Sequence, residues 1–265
     1  MNRQYHFIAG LPRSGSTLLS VILNQNPIFQ SSMSGPVYNM TQSMIEIFSG
    51  ESKHHYSIDV KKNIIRGIFD NYYYDNSKVV CFDTNRGWSS ITYMISELYP
   101  HSKIILCVRD VALILDSFER IIRRNPFIKS KMFSNEFSST VYSRCDCMMQ
   151  NGGVVGFPYK AISQAISSEE SSNLFIVEYE RLCKNPIEMM KELYNFIDQP
   201  MFDHDFNNVS FSYDEFDDNL NTPGLHTTRK TVEWVERAPI LPPDILMNYS
   251  MMHVWRQLPQ FNNIS

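Results

Sequence analysis

The sequence predicts one α/β domain over residues 1–265, with a central parallel sheet and helices on both faces. Three observations predict it. Short, continuous apolar runs rich in β-branched residues recur along the chain, as in strands buried on both sides. Segments with apolar residues at helical spacing separate these runs. A glycine-bearing turn joins the first run directly to the first helical segment. Strand–helix alternation of this kind builds a parallel sheet, because each crossover helix returns the chain to the starting end of the sheet.

In chain order, the first strand is His6-Phe-Ile-Ala9, and the helix Thr17-Leu-Leu-Ser-Val-Ile-Leu-Asn24 follows its turn. Residues 49–57 are polar and read as a loop between helical segments. Val79-Val-Cys-Phe82 and Ile104-Ile-Leu-Cys-Val108 are the next strands, with a helix starting near Trp88 between them. Val111, Ile114, Leu115, Phe118, Ile121 and Ile122 mark one face of a helix after the third strand. Leu174-Phe-Ile-Val177 is the fourth strand. Ile187, Met190, Leu193, Tyr194 and Ile197 mark the helix after it, behind Pro186 at its first position. Residues 203–224, rich in Asp, Asn and Phe, read as a long surface loop, and the tail from Pro242-Pro243 onward as one terminal helix.

The 24 Lys and Arg against 28 Asp and Glu give a net charge of −4. No cation excess exists to neutralise a phosphate backbone, so nucleic acid is not expected as a partner. No apolar run approaches the ~20 residues of a bilayer span, and no membrane partner is expected. The N-terminus lacks the apolar core of a secretory signal, and the odd set Cys81, Cys107, Cys145, Cys147 and Cys183 reads as reduced thiols. Both features point to a cytoplasmic protein. The methionine pairs read as core filler, and Lys61-Lys62 and Arg123-Arg124 as solvated faces.

The most informative segment is Gly10-Leu-Pro-Arg-Ser-Gly-Ser-Thr17, between the first strand and first helix. Its glycines let consecutive N–H groups converge, and the helix N-terminus behind them adds positive potential. The loop is built for a phosphate. Its spacing, G-x-x-x-x-G-x-[ST], is that of a P-loop, so the sheet is P-loop-like. Ser16 occupies the position of the P-loop lysine, and Arg13 is the strong cation within the loop. Without that lysine, ordinary ATP chemistry loses its contact to the β/γ-phosphates.

The stretch Gly-Leu-Pro-Arg-Ser-Gly-Ser-Thr-Leu-Leu resembles the phosphosulfate loop of sulfotransferases that use PAPS (3′-phosphoadenosine 5′-phosphosulfate). It is closest in style to the tyrosylprotein sulfotransferases and their bacterial relatives. The resemblance implies that Arg13, Ser14, Gly15, Ser16 and Thr17 hold the 5′-phosphosulfate. It also implies that Arg13 neutralises the leaving oxygen. A second motif, Ile104 to Ser117, resembles the family's 3′-phosphate site, a strand ending in Arg with a Ser eight residues on. That implies Arg109 and Ser117. Val177-Glu-Tyr-Glu-Arg-Leu182 resembles the strand end whose tyrosine contacts the nucleotide, here Tyr179. Thr227-Thr-Arg-Lys-Thr231 lies where a C-terminal loop closes over the 3′-phosphate, offering Arg229 and Lys230.

The implied reaction is an in-line transfer of a sulfuryl group from PAPS to a hydroxyl or amine acceptor, leaving PAP (3′,5′-diphosphoadenosine), with no metal required. A base must take the acceptor proton. Tyrosylprotein sulfotransferases place a Glu after the second strand, but residues 26–35 here hold neither carboxylate nor His. Cytosolic sulfotransferases place a His past the strand before the 3′-phosphate site. The equivalent stretch, 79–87, offers Asp83 as base and Arg86 as a contact to the sulfonate. Asp83 could equally cap the helix near Trp88 or pair with Arg86. His54, His55 and His226 are rival bases.

Two other readings stay open: a divergent small-molecule kinase or hydrolase holding Mg²⁺ on Thr17 and Asp110, and a non-catalytic nucleotide-binding module. The acceptor, a small molecule, peptide or glycan, leaves no signature in residues 35–57 or 125–160. Tyr38, Phe48, Tyr56, Phe127, Phe133 and Tyr142 are the aromatic candidates for its pocket. The oligomeric state is equally open.

Overall fold

In the computed structural model, which describes residues 3–31, 33–75, 77–133 and 139–258, five parallel strands form one sheet in the order β2-β3-β1-β4-β5. β1 (Gln4–Gly10) leads into α1 (Ser16–Leu23), then β2 (Phe29–Ser31), α2 (Val37–Ser49) and α3 (Ile58–Tyr72). β3 (Val80–Thr84), α4 (Thr92–Leu98), β4 (Ile104–Val108) and α5 (Val111–Arg124) follow. Next come α6 (Val141–Met149), α7 (Gly156–Ile166), β5 (Leu174–Glu178), α8 (Tyr179–Lys184) and α9 (Pro186–Phe196). Two short helices, α10 (Asp214–Asn219) and α11 (Pro243–Tyr249), lie in the C-terminal part.

Strand alternation sorts the core into two layers. Phe7, Ala9, Cys81, Leu106, Val108 and Ile176 face one side, where Phe69 of α3, Leu115 of α5 and Ile162 of α7 cover them. Ile8, Phe82, Ile105, Cys107 and Val177 face the other, under Leu19 and Ile22 of α1 and Met190 and Leu193 of α9. Helices therefore cover both faces, as the apolar runs predict. All five cysteines are free thiols.

Several elements differ from the sequence reading. β2 pairs with only three residues of β3, too short for any periodicity to show. The helix expected near Trp88 is a single 3-10 turn, Arg86–Ser90. Residues 203–224 are no loose loop: His204, Val209, Asp217 and Thr222 are buried there, and α10 forms. The tail is broken rather than one helix, with α11 ending at Tyr249 and a 3-10 turn at Val254–Gln257. Its last part, 259–265, lies outside the described residues, as does 134–138 within the loop 125–160.

Candidate active site

The carboxyl ends of β1, β3 and β4 open into a cavity of about 870 Å³, where open α/β sheets gather their ligands. The phosphate loop forms its floor. Arg13 (φ 57°) and Gly15 (φ 90°) take left-handed backbone conformations that curl the loop round a point in front of α1. A Cβ on residue 15 would lie 2.7 Å from Cδ2 of Tyr179, so glycine is required both by conformation and by that ring. The Ser14 hydroxyl turns inward, onto the carbonyls of Leu11 and Cys107, the latter at 2.8 Å. Ser14 thus pins the loop to β4 and offers a ligand only its backbone. Ser16 and Thr17 open α1, which has no side-chain cap, and both line the cavity. Their N–H groups are those a phosphate satisfies at a helix N-terminus.

Arg13 links the loop to two other parts of the site. Its Nε donates to Ser117 Oγ at 3.2 Å, and its Nη1 to the carbonyl of Leu225. Burial, with the neighbouring Arg109 charge, pushes its pKa down to about 10, still well above neutrality. Arg109 lies 4.7 Å over the Tyr179 ring and 3.5 Å from Glu180, with Nη1 on the Arg13 carbonyl at 3.4 Å. Asp110 caps α5 by accepting from Leu113 N at 3.1 Å, a use that competes with metal binding.

Across the cavity runs the C-terminal segment 224–239. It is held by Asp116, which accepts from Ile240 N at 2.6 Å, and by Arg120, which donates to the Ala238 carbonyl at 2.5 Å. Arg229 lines the cavity beside Glu233, at 3.3 Å. Lys230 does not line it: its side chain is exposed, and its carbonyl accepts from Val209 N. The expectation that Lys230 reaches the cofactor is corrected accordingly.

Asp83 is also displaced from its expected role. Its carboxylate is wholly buried, with Oδ2 accepting from Tyr73 Oη at 2.6 Å and Oδ1 from Trp88 Nε1 at 2.7 Å. Asp83 pairs in register with Phe7, so it faces the α3 side of the sheet, away from the cavity. Burial raises its pKa. A carboxylate saturated by two donors in the core cannot reach an acceptor proton. Arg86, three residues on, does line the cavity, with Nη1 on the Val154 carbonyl at 3.1 Å. Its side chain is exposed, and the surrounding protein lowers its pKa by desolvation.

Of the rival histidines, His54 and His55 are exposed on the 3-10 turn Glu51–His55 and do not line the cavity. His226 does line it. Its Nδ1 lies 2.6 Å from Asp217 Oδ1, and its backbone N–H donates to Asp217 Oδ2 at 2.9 Å. Asp217 is fully buried in α10, a carboxylate that fixes the Nδ1 side of the His226 ring. Burial is the main cause lowering the His226 pKa, and the Arg13 and Arg86 charges lower it further, while Asp217 opposes them. The net direction is downward, which favours the neutral imidazole that a base requires. Sequence reasoning missed Asp217: it sits in the acidic run Asp214-Glu-Phe-Asp-Asp218, and only tertiary folding brings it to His226.

The candidate pocket aromatics do not line the cavity. Tyr38 packs on Trp88 (ring centroids 5.0 Å apart), Phe48 on Tyr56 (5.0 Å), and Phe133 is in the core. Phe127 is fully exposed, and Tyr142 bonds Asp244 at 3.2 Å. Of the two loops, 125–160 gives the wall Met132 and Val154 instead, and no described residue of 35–57 lines it. The basic pairs are also not merely solvated: Arg123 pairs with Glu119 at 2.9 Å, Arg124 lines the cavity, and Lys62 pairs with Glu97.

A phosphate-loop α/β fold with this site defines a nucleotide-dependent group-transfer enzyme. The sulfotransferase family model matches residues 6–204, and the chain belongs to that family, whose members transfer sulfuryl groups. No curated protein sequence matches it. Among solved structures, a sulfotransferase from Alicyclobacillus acidocaldarius is 14% identical over 80% of this chain and 87% of that one, with a TM-score of 0.52. The sulfotransferase domain of the Synechococcus PCC 7002 olefin synthase is 18% identical over 76% and 75%, with a TM-score of 0.47. A mouse sulfotransferase complexed with PAP is 16% identical over 76% of this chain and 61% of its own, with a TM-score of 0.47. At 14% identity, the likeness to the Alicyclobacillus structure speaks for the fold alone. The family match ends before Asp217 and His226, so their role rests on geometry.

Proposed function

We propose that this sulfotransferase takes its sulfuryl group from PAPS and passes it in line, without a metal, to a hydroxyl or amine, with His226 as the base. One observation carries the reading: Arg13, in the phosphate loop, reaches both Ser117 on α5 and Leu225, the residue before His226. The anion cradle and the base are therefore held on the two sides of one side chain. The fit to the donor rests on the loop itself, curled at Arg13 and Gly15 before an uncapped helix N-terminus.

The donor supplies an activated S–O bond. In this reading, the amides of Gly15, Ser16 and Thr17 hold its 5′-phosphosulfate, while Arg109, Ser117 and Arg229 meet its 3′-phosphate. The Tyr179 ring, fixed over Gly15 and under Arg109, flanks the nucleotide. Arg13, charged at any working pH, stabilises the oxygen that gains charge as the sulfuryl group departs. Neutral His226 takes the acceptor proton, and Asp217 holds the imidazolium that results. The segment 224–239 covers the cavity and keeps bulk water from competing with the acceptor.

The test is transfer of labelled sulfate from PAPS, in EDTA, across phenol, sugar and amine acceptors. We expect transfer to at least one class, reduced about 10²–10⁴-fold in His226→Ala, the usual contribution of a positioned base, with PAP affinity unchanged. PAP binding with no transfer to any class would favour a non-catalytic nucleotide-binding module.

A further inference from the structure

We propose that the acceptor is an acid: a hydroxyl- or amine-bearing molecule whose carboxylate, phosphate or sulfate is held by Arg86 on the β3 side of the cavity. The proposal names the substrate class of the site described above and rests on the reading that PAPS is the donor.

The 86–90 turn is braced on every side so that one side chain emerges from it. Gly87, Trp88 and Ser89 are buried, while Arg86 is exposed. The Trp88 indole is tied to buried Asp83 and packed among the rings of Phe7, Tyr38 and Phe69 at 4.9, 5.0 and 5.7 Å. A Cβ on residue 87 would lie 2.1 Å from the Tyr38 ring, so only glycine lets the turn approach so closely. The side chain of Asn85 accepts from Gly87 N at 2.9 Å, and the hydroxyls of Ser89 and Ser90 donate back to the carbonyls of Arg86 and Gly87. Rigid support of this kind is what a binding group needs to meet a ligand in fixed geometry. The Asp83 carboxylate thereby becomes a positioning residue, acting through Trp88.

What emerges is a cation with spare capacity. A guanidinium carries five N–H donors. Among the described residues, the hydrogen bond of Arg86 is to the Val154 carbonyl, and no carboxylate lies within ion-pair distance. Of the other arginines lining the cavity, Arg109, Arg120 and Arg229 sit against Glu180, Asp116 and Glu233, while Arg13, Arg124 and Arg237 share with Arg86 the lack of a carboxylate at ion-pair distance among the described residues. Arg86 bonds Val154, and Ser34, Thr84, Met132 and Leu220 line the same cavity as uncharged residues.

Topology places this cation on the acceptor side. β3 and β4 flank β1 on opposite sides. The donor groups run from α1 toward Arg109 and Ser117, on the β4 side, which leaves the β3 wall for the second substrate. Arg86 is also close enough to His226 to depress its pKa. An anion docked on Arg86 offsets that depression, so an acidic acceptor strengthens the base that will deprotonate it. A neutral acceptor leaves the guanidinium desolvated and uncompensated.

The test uses probes that cannot accept sulfate. Benzoate, phenylphosphonate and the neutral isostere benzamide are titrated into PAPS-saturated protein by calorimetry, after the affinities for PAPS and PAP are measured alone. Wild type is predicted to bind benzoate and phenylphosphonate at least about tenfold more tightly than benzamide, the scale of one charge-assisted contact. Arg86→Gln should erase that preference, Arg86→Lys should restore part of it, and Trp88→Phe should weaken it, all with PAPS affinity within about twofold of wild type. Equal or absent binding of all three probes overturns the proposal. So does an Arg86→Gln variant that loses PAPS affinity while keeping the anion preference, since Arg86 would then serve the donor. Failure of wild type to bind PAPS or PAP at all overturns the donor reading itself, and is told apart by the first titration.

Discussion

Replacing Asp217 with Asn tests the base most sharply, because it removes one charge and almost no volume. Asp217 Oδ1 lies 2.6 Å from His226 Nδ1, and Oδ2 accepts the His226 backbone N–H at 2.9 Å. The amide keeps one acceptor but loses the negative charge, and its NH₂ cannot accept the second contact. A hydrogen bond to a charged group contributes about 1.5–3 kcal/mol, and one pKa unit corresponds to about 1.4 kcal/mol. Since Asp217 raises the His226 pKa against burial, its loss should lower that pKa further. The sign follows: a base with a lower pKa stays neutral to lower pH, so the acid limb of kcat/KM moves toward acid. The plateau should meanwhile fall about 10- to 100-fold, because the imidazolium formed on proton transfer loses its counter-charge. The pH profile of sulfate transfer and the NMR titration of the His226 ring read the two effects separately. An unshifted acid limb with an unchanged His226 titration would refute the dyad.

Other outcomes follow from single contacts. Gly15→Ala should weaken PAP binding at least about tenfold by calorimetry, because its Cβ must displace the Tyr179 ring and the residue holds φ 90°. Asp83→Asn should lower stability by about 1–3 kcal/mol in urea melts, since it leaves Tyr73 or Trp88 poorly paired. The folded variant should retain transfer within a few-fold, and a loss of more than about 10²-fold would return Asp83 to the chemistry. His6 is wholly buried, with its pKa pushed down to about 3 by burial. The unfolded chain takes up a proton below pH ~6.5 and the native one does not, so stability should fall by about 1.4 kcal/mol per pH unit from 6 toward 4. His6→Gln should lessen that slope in urea melts between pH 7 and 4, leaving the share of buried His204, whose pKa burial lowers to about 4; an unaltered slope would contradict the assignment.

Local features of the site were legible in the sequence, and features made by tertiary closure were not. The phosphate loop and the Arg109–Ser117 pair each lie within one strand–helix junction, where spacing fixes geometry. The structure joins them through Arg13 and Ser117. Asp83 was misplaced because position at a strand end does not specify a face: its neighbours Phe82 and Thr84 turn toward α1, while Asp83 turns to Tyr73 and Trp88. His226 was one histidine among several until α10 brought Asp217 beneath it from within a run of acids that spacing could not rank. β2 carried no signal because a three-residue edge strand shows no period. The cavity wall formed by Met132, Val154 and Leu220 was likewise hidden, since these residues come from separate segments that share no motif.

The most direct test of the central claim is calorimetric titration of PAP in EDTA, beside ATP with Mg²⁺, on wild type and Arg109→Ala. Metal-independent binding of PAP in the micromolar range is predicted, weakened about tenfold or more in the variant as one charge-assisted phosphate contact is lost. Tight binding of ATP·Mg²⁺ with no response to PAP would contradict the account and point to phosphoryl chemistry in its place.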